Sequence, residues 1–384
     1  MKIVYFSPSF YPATKYGGPI FSSLNTCREL FNLGLDIDIH TTNVDRHSRL
    51  NVPVNVPVEL KELNFNKVTY HKENFTDRFS LHFFLTAPMA IKNSDLVHSQ
   101  SVFSICTPMA IFWSFFYGKQ VVVSPRGSLG LWCLNQGSQY KKLWLSIFFK
   151  PFLKKIYWHV TADTEKLDVL SVFPDVKDRN FIIIPNGVNR GSHPILDKQC
   201  LFDKLGFSPP NHFILSSGRI DDKKGFDYTI RSLAHIDDDI VLLIMGEDYG
   251  AKESLLNLAI ELGVSKRVKF LGHITDEYKW SLYAHADVFS LNSRHENFGN
   301  VYLESLSVGT PIVASTHTPW EFINETNAGY CVENCPYKIS DAIKSIINSS
   351  SFSKDNCLSV AENFYWDSIA EQFIKEYKRV IYGN

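Results

Sequence analysis

What the sequence lacks narrows it first. It has no apolar run of the roughly 20 residues that a membrane-spanning helix needs; the longest, Val102 to Tyr117, contains Pro108 and predicts a buried helix. The opening residues MKIVYFSPSFYP have neither the apolar core nor the small-residue cleavage site of a signal peptide, which predicts a cytoplasmic protein. Charge excess is missing too: 39 Lys plus Arg against 40 Asp plus Glu remove the case for a nucleic-acid binder. Low-complexity tracts are absent, and a composition that is 45% hydrophobic excludes disordered and fibrous classes. The seven cysteines are odd in number and irregularly spaced. Cys331 and Cys335 form the one close pair, with no second pair to complete a zinc site, so reduced, mostly core-filling thiols are expected. The G-x-G-x-x-G fingerprint is also missing, which counts against a nicotinamide or flavin enzyme.

What is present is an uneven charge distribution. Residues 1–200 carry 22 basic and 15 acidic side chains, whereas 201–384 carry 17 and 25. Between Asp95 and Asp163 there is no acidic residue, yet Lys119, Arg126, Lys141, Lys142, Lys150, Lys154 and Lys155 all fall there. Residues 141–155 mix lysines with large apolar side chains. That pattern suits a helix lying on the anionic inner membrane leaflet, and equally an amphipathic helix with its lysines on the wet face.

At 384 residues two domains are expected. Lys2–Ser7 reads as a strand, followed by a loop holding Gly17-Gly18, a helical pattern through Leu24, Cys27, Leu30 and Phe31, and a strand at Leu35–Thr41. Further strands are expected at Leu96–His98, Gln120–Ser124, Trp158–Ala162 and Phe181–Pro185. A polar stretch, Asn189–Gln199, reads as a linker. A second alternation follows, with strands at Phe213–Ser217, Ile240–Met245, Val268–Leu271, Val288–Leu291 and Pro311–Ala314. Helices at Phe226–His235, Lys252–Leu262, Asp276–Ala284 and Val301–Val308 separate them. This is an α/β chain of two Rossmann-like, doubly wound domains facing across a cleft. We expect the domains at 1–190 and 200–364, with a last helix within 365–384 crossing back to the first.

Three motifs carry chemistry. Gly17-Gly18 opens the first helix, where backbone N–H groups can meet an anion, although a plain turn has the same composition. Gly218-Arg219-Ile220-Asp221-Asp222-Lys223-Lys224-Gly225 ends the second domain's first strand, at the edge where open α/β sheets bind ligands. Arg219 and Lys224 can clamp a pyrophosphate there, one as a planar fork and one as a point charge. The third motif is Glu296-Asn297-Phe298-Gly299-Asn300-Val301-Tyr302-Leu303-Glu304. It places one glutamate in a loop and the other in the first turns of a helix, with the N–H groups of 298–301 between them.

In this order and spacing, together with Phe270-Leu271-Gly272, Gly309-Thr310-Pro311 and Ile184-Pro185-Asn186-Gly187, the chain resembles retaining nucleotide-sugar glycosyltransferases of family 4 (glycosyltransferase group 1), which have the GT-B fold. Ser124-Pro125-Arg126-Gly127-Ser128 and Thr318-Pro319-Trp320-Glu321 resemble a subgroup of bacterial surface-polysaccharide assembly. The resemblance implies an acceptor-binding first domain and a donor-binding second one. It implies that Arg219 and Lys224 hold the donor diphosphate with no metal or other cofactor required. Glu304 would take the ribose, Glu296 the donor sugar, and Phe298, Gly299 and Asn300 would offer backbone donors. Gly17 and Gly18 would meet the phosphates, and Ile274 the nucleobase. Arg219, Lys224 and Glu296 are the catalytic candidates. On the acceptor side, Glu165 matches a lining position. Arg126 stands where many members have a histidine; always protonated, it cannot act as a base and would bind an acidic group instead. His98, at the end of a strand, is a further cleft candidate, against an ordinary structural role. The activity implied is transfer of a hexose-type sugar from a UDP- or GDP-sugar to a lipid-linked saccharide at the cytoplasmic membrane face. The rival readings are a nucleotide-sugar epimerase and a silent sugar-nucleotide-binding scaffold.

Overall fold

The structure, a computed structural model, describes residues 1–383 except 65, 76–77, 136–138, 192 and 350, with the backbone alone at residue 132. Ser192, in the expected linker, and Asn384, at the end of the expected last segment, lie outside the described residues. The chain divides into two compact units, Met1–Gly187 with Trp366–Asn384, and Val188–Tyr365.

Among the described residues, the first unit's strands are β1 (Lys2–Phe6), β2 (Asp36–Thr42), a short antiparallel pair β3 (Val44–Asp45) and β4 (Ser48–Arg49), β5 (Pro57–Leu60), β6 (Asn66–His71), β7 (Leu96–Gln100), β8 (Gln120–Ser124), β9 (Ile156–Val160) and β10 (Phe181–Ile183). Eight form one sheet in the order β10-β9-β8-β7-β1-β2-β6-β5, parallel except at β5. In β1 the side chains alternate between two cores, Val4 and Phe6 on one face and Ile3 and Tyr5 on the other, all essentially excluded from water. Burial on both faces is what a parallel sheet requires. The helix Gly18–Asn32 and the last helix, Trp366–Tyr382, pack together on the Ile3/Tyr5 face. Trp366, Ile369, Phe373, Tyr377 and Val380 recur at three- and four-residue intervals, and that stripe is what seats the last helix on the first unit.

The second unit has β11 (His212–Ser217), β12 (Ile240–Met245), β13 (Val268–Gly272), β14 (Val288–Leu291), β15 (Ile312–Ser315) and β16 (Gly329–Val332), all parallel, in the order β13-β12-β11-β14-β15-β16. Strand order reverses between β11 and β14, which makes the carboxyl ends of those two strands the switch point where such sheets bind ligands.

Three expectations need correcting. The sequence reading places no strand between residues 42 and 95, where β5 and β6 lie; Pro53 and Pro57 obscure them, and Pro57 is tolerated because β5 is an edge strand. The helix Cys106–Phe116 is not buried throughout. Its inner face packs on β7 and β8, while Phe112, Phe115 and Phe116 are exposed. Residues 141–155 are not one helix: Gln139–Phe148 is helical, and Pro151 then opens a separate 3-10 segment, Lys150–Lys155.

His98, expected in a cleft, lies inside β7 and is fully buried. Its Nδ1 is 2.6 Å from the Tyr377 hydroxyl and its Nε2 2.7 Å from Ser124 Oγ. Ser124 Oγ is 2.7 Å from His159 Nδ1, and His159 Nε2 is 3.0 Å from the Ile184 carbonyl. A carbonyl only accepts, so protons run one way when both rings are neutral: Tyr377 donates to His98, His98 to Ser124, Ser124 to His159 and His159 to Ile184. Burial, with Arg126 nearby, holds His98 down to about 3 and His159 well below the usual imidazole range. Buried His71 is likewise held down to about 2 by burial and then by His40 and His82.

These imidazoles stay neutral in the fold but take protons below about pH 6.5 in the unfolded chain. The unfolded state therefore binds more protons as pH falls, and each such group withdraws up to about 1.4 kcal/mol per pH unit. The urea midpoint of the first unit should fall from pH 7.5 to pH 5, and His71→Gln should flatten the slope. A midpoint constant over that range would contradict the assignment.

Candidate functional site

The second unit's switch point is built from two loops. The loop after β11 carries Arg219 and Lys224. Asp221 lies between the two cations: its Oδ1 accepts the Lys224 backbone N–H at 3.2 Å, capping the short turn Asp222–Lys224, and its Oδ2 is 3.6 Å from Arg219 Nε. Arg219 is the more open cation, its side chain 44% exposed, with the guanidinium 5.6 Å from the centre of the Tyr249 ring. Gly225 closes the turn at φ +63°, where a Cβ would lie 2.1 Å from the Asn292 carbonyl oxygen in the next loop. Only glycine permits that approach.

The loop after β14 delivers Glu296. Its carboxylate is 2.6 Å from Lys224 Nζ and accepts from Ser293 Oγ at 3.0 Å. The side chains of this pair are only 15% and 11% exposed. Burial pushes the Glu296 carboxyl up, but the charge of Lys224, its hydrogen bond, Lys223 and Ser293 together hold it below the usual carboxylate range. Arg294 fastens the loop, forking onto both oxygens of Asp227 at 2.8 Å and donating to the Asp222 carbonyl at 2.6 Å. Sequence reasoning missed Arg294 because its partners lie some 70 residues earlier.

Further on, Gly299 precedes the helix Asn300–Ser307 at φ +85°, and a Cβ there would meet Tyr302 at 2.5 Å. No side-chain hydrogen bond caps this helix, and a helix start of this kind favours an anion or a sugar oxygen. Buried Trp320 donates to the Phe298 carbonyl at 2.6 Å and holds this entry from below. Glu304 lies one turn inside the helix, where it accepts from Lys279 Nζ at 2.7 Å and the Tyr283 hydroxyl at 3.1 Å. Lys279 and Tyr283 belong to the helix Asp276–His285 and were also missed, since no local spacing ties them to Glu304. Ile274, in the short connection before that helix, is half-buried against the core. Beside Glu296, His295 Nε2 is buried with no hydrogen-bond partner among the described residues. Burial, with Lys223 and His317, lowers its proton affinity, so a neutral ring is poised to meet a polar ligand.

In the first unit, Gly17 takes φ +75° ahead of the helix that Gly18 begins. Arg126 lines an opening of about 190 Å³ with Ser7, Tyr16, Gln100 and Arg78, and its Nη1 donates to Asn186 at 2.9 Å. Glu165 is internal. Its carboxylate accepts the Gly127 N–H at 2.7 Å and the Thr161 N–H at 2.8 Å, so it braces the Arg126 turn from the interior. Burial raises its proton affinity against those bonds. Of the three acceptor-side candidates, Arg126 lines an opening, whereas His98 and Glu165 are buried. All seven cysteines are free, four of them buried.

Two glutamates each paired with a lysine on a different element make a testable unit. Lys224→Met strands a buried carboxylate and should lower the second unit's stability by about 3 kcal/mol. Adding Glu296→Gln should recover most of that loss in urea unfolding. Equal stability of the single and double variants would show that the pair is not its source.

Residues 197–362 match the family described as glycosyl transferases group 1. An uncharacterised glycosyltransferase of Methanocaldococcus jannaschii is 29% identical over 224 residues, 56% of this chain and 57% of that protein. A lipopolysaccharide core biosynthesis glycosyltransferase of Rhizobium meliloti is 36% identical over 156 residues, 40% and 44% of the two chains. The chain thus spans about half the length of the curated relatives it matches. Anabaena HepE, solved in complex with UDP and glucose, shares the fold at a TM-score of 0.76 over 98% of both chains, with 17% identity. Residues 197–362 thus resemble the glycosyl transferases group 1 family, and the two Rossmann-like units have the GT-B fold of the solved glycosyltransferases.

Proposed function

We propose that the protein is a retaining, metal-independent glycosyltransferase of family 4. It moves a hexose-type sugar from a UDP- or GDP-linked donor to a lipid-linked saccharide in surface-polysaccharide assembly. The observation that carries the reading is the Lys224–Glu296 pair at the β11/β14 switch point, with Arg219 open beside it and Glu304 eight residues on. A relative named for lipopolysaccharide core biosynthesis and a fold neighbour solved with UDP and glucose support the substrate classes.

In this mechanism the donor diphosphate takes Lys224 from Glu296 and binds Arg219. Glu296, released, accepts hydroxyls of the donor sugar, and Glu304 accepts those of the ribose. As the bond from the anomeric carbon to the diphosphate oxygen breaks, negative charge grows on that oxygen. Arg219 and Lys224 stabilise it in the role a divalent cation plays in other transferases. The acceptor oxygen bonds to the same face of the carbon, and the departing diphosphate takes its proton.

The lipid class draws support from the first unit's surface. Leu85, Met89, Phe112, Phe115, Phe116, Leu143 and Ile147 are exposed, Phe115 packs 5.4 Å from Phe152 of the Lys150–Lys155 segment, and no acidic residue occurs between Asp95 and Asp163. Apolar groups rimmed by lysines fit the anionic cytoplasmic leaflet. Sedimentation with phosphatidylglycerol-containing vesicles, but not with phosphatidylcholine alone, is expected, and Leu143→Asp with Ile147→Asp should abolish it.

The deciding test is mass-spectrometric detection of product from UDP- and GDP-sugars with membrane-extracted lipid-linked acceptors. One donor should add a sugar mass, and Glu296→Ala should lose it. Lys224→Gln should cut turnover on the order of 100- to 1,000-fold. Donor consumption without acceptor gain would identify an epimerase or hydrolase instead, and donor binding without any turnover a silent binding protein.

A further inference from the structure

Beside the Gly17 loop, the first unit has a wide opening of about 710 Å³ lined by Tyr16, Arg46, His47, Arg49, Glu73 and Arg78 among others. None of these residues has a part in the chemistry above. Glu73 is the one carboxylate among its described lining residues. Its Oε2 accepts Nε and Nη2 of Arg49, both at 3.3 Å, and its Oε1 accepts the Arg78 backbone N–H at 3.0 Å. The guanidinium carbons of Arg46 and Arg78 lie 5.9 and 5.7 Å from the centre of the Tyr16 ring. Among the described lining residues, three permanent positive charges thus gather around one negative charge. Both Arg46 and Arg78 hold left-handed backbone conformations, φ +56° and +63°, which side-chain-bearing residues seldom adopt.

Gathering like charges is unfavourable unless an anion joins them. Guanidinium forks match the oxygens of a phosphate, and the Tyr16 ring near two of them, with the Lys15 carbonyl accepting Arg46 Nε at 2.8 Å, limits their freedom. The basin is also not isolated. Arg78 lines the strand-end opening that holds Arg126 and Gln100, and it lines a third opening, of about 450 Å³, with Phe103, Tyr140 and Trp144. One arginine therefore joins the strand-end opening, a cationic basin and an aromatic trough.

We propose that the Arg46–Arg49–Arg78 basin binds a phosphate or diphosphate ester carried by the acceptor. Its link to the acceptor rests on the transferase reading; its capacity to bind the anion does not. The phosphate could belong to a lipid carrier or to a soluble phosphorylated saccharide, and Arg78's place between basin and trough lets experiment separate the two.

The test is calorimetric titration of inorganic pyrophosphate into the full chain carrying Lys224→Met with Glu296→Gln, which weakens the second unit's own anion clamp without stranding a buried carboxylate. Binding is expected, and adding Arg49→Gln with Arg78→Gln should weaken it by about tenfold or more, equivalent to about 1.4 kcal/mol. Arg49→Gln alone, checked for folding by circular dichroism because Glu73 at 13% exposure loses its cation, should weaken it measurably. Affinity unchanged in both variants would overturn the proposal whether or not the chain transfers sugar. For the source, a short-chain prenyl diphosphate replaces pyrophosphate. Tighter binding that Tyr140→Ser removes identifies a lipid carrier, and equal affinity a soluble phosphate ester. With an active acceptor in hand, Arg49→Gln should raise KM and leave kcat unchanged, whereas failure of the transferase reading would appear as absent turnover with the pyrophosphate result intact.

Discussion

The ion pair between Lys224 and Glu296 is the constraint around which the second unit's switch point is arranged. A carboxylate that water barely reaches needs a cation at contact distance, or it takes up a proton. Meeting that need sets the surroundings. Asp221 shapes the turn that aims Lys224, Gly225 lets the turn press against the Asn292 carbonyl, and Arg294 ties the glutamate's loop to Asp227 on the neighbouring segment. The Lys279–Glu304 pair repeats the same solution on two helices. A polyanionic ligand competes for lysines already held in place, so little side-chain freedom has to be lost on binding.

The two units handle buried polarity in different ways. The first keeps its interior chain neutral: Tyr377, His98, Ser124 and His159 pass hydrogen bonds in one direction to a carbonyl that can only accept. That chain runs across three strands to the last helix along one face of the sheet, and it ties them together. The second unit instead offsets full charges against each other. Neutral chains specify one geometry and exchange poorly with ligands, whereas paired charges can be traded for a charged guest.

Legibility in the sequence followed the same physics. β8, β12 and β14 lie where the sequence predicts because each is a continuous β-branched or aliphatic run bounded by turn or polar residues. β6 escaped notice because Asn66-Lys67-Val68-Thr69-Tyr70-His71 alternates weakly and follows a proline-rich approach. Arg219, Lys224, Glu296 and Glu304 could be singled out because loops at strand ends keep short, recurrent spacings. Lys279, Tyr283 and Arg294, which hold those groups in place, act across 21 to 72 residues of separation, so no local pattern exposes them. His98 misled for the opposite reason: a histidine at an expected strand end resembles a cleft residue until β7 is seen to run two residues further and Tyr377 to sit on the ring.

The seating of the last helix on the first unit has a consequence during synthesis. Phe373 and Tyr377 complete a core that residues 3 to 39 began, yet the whole of Val188–Tyr365 must be translated in between. At about 5–20 residues per second, the ribosome leaves that core open for roughly 10–35 s. The second unit has all of its strands outside the exit tunnel before the first unit can close. The second unit's sheet can therefore assemble while the first unit's core is still open, and the Ile3/Tyr5 face is the surface that a nascent-chain chaperone would meet.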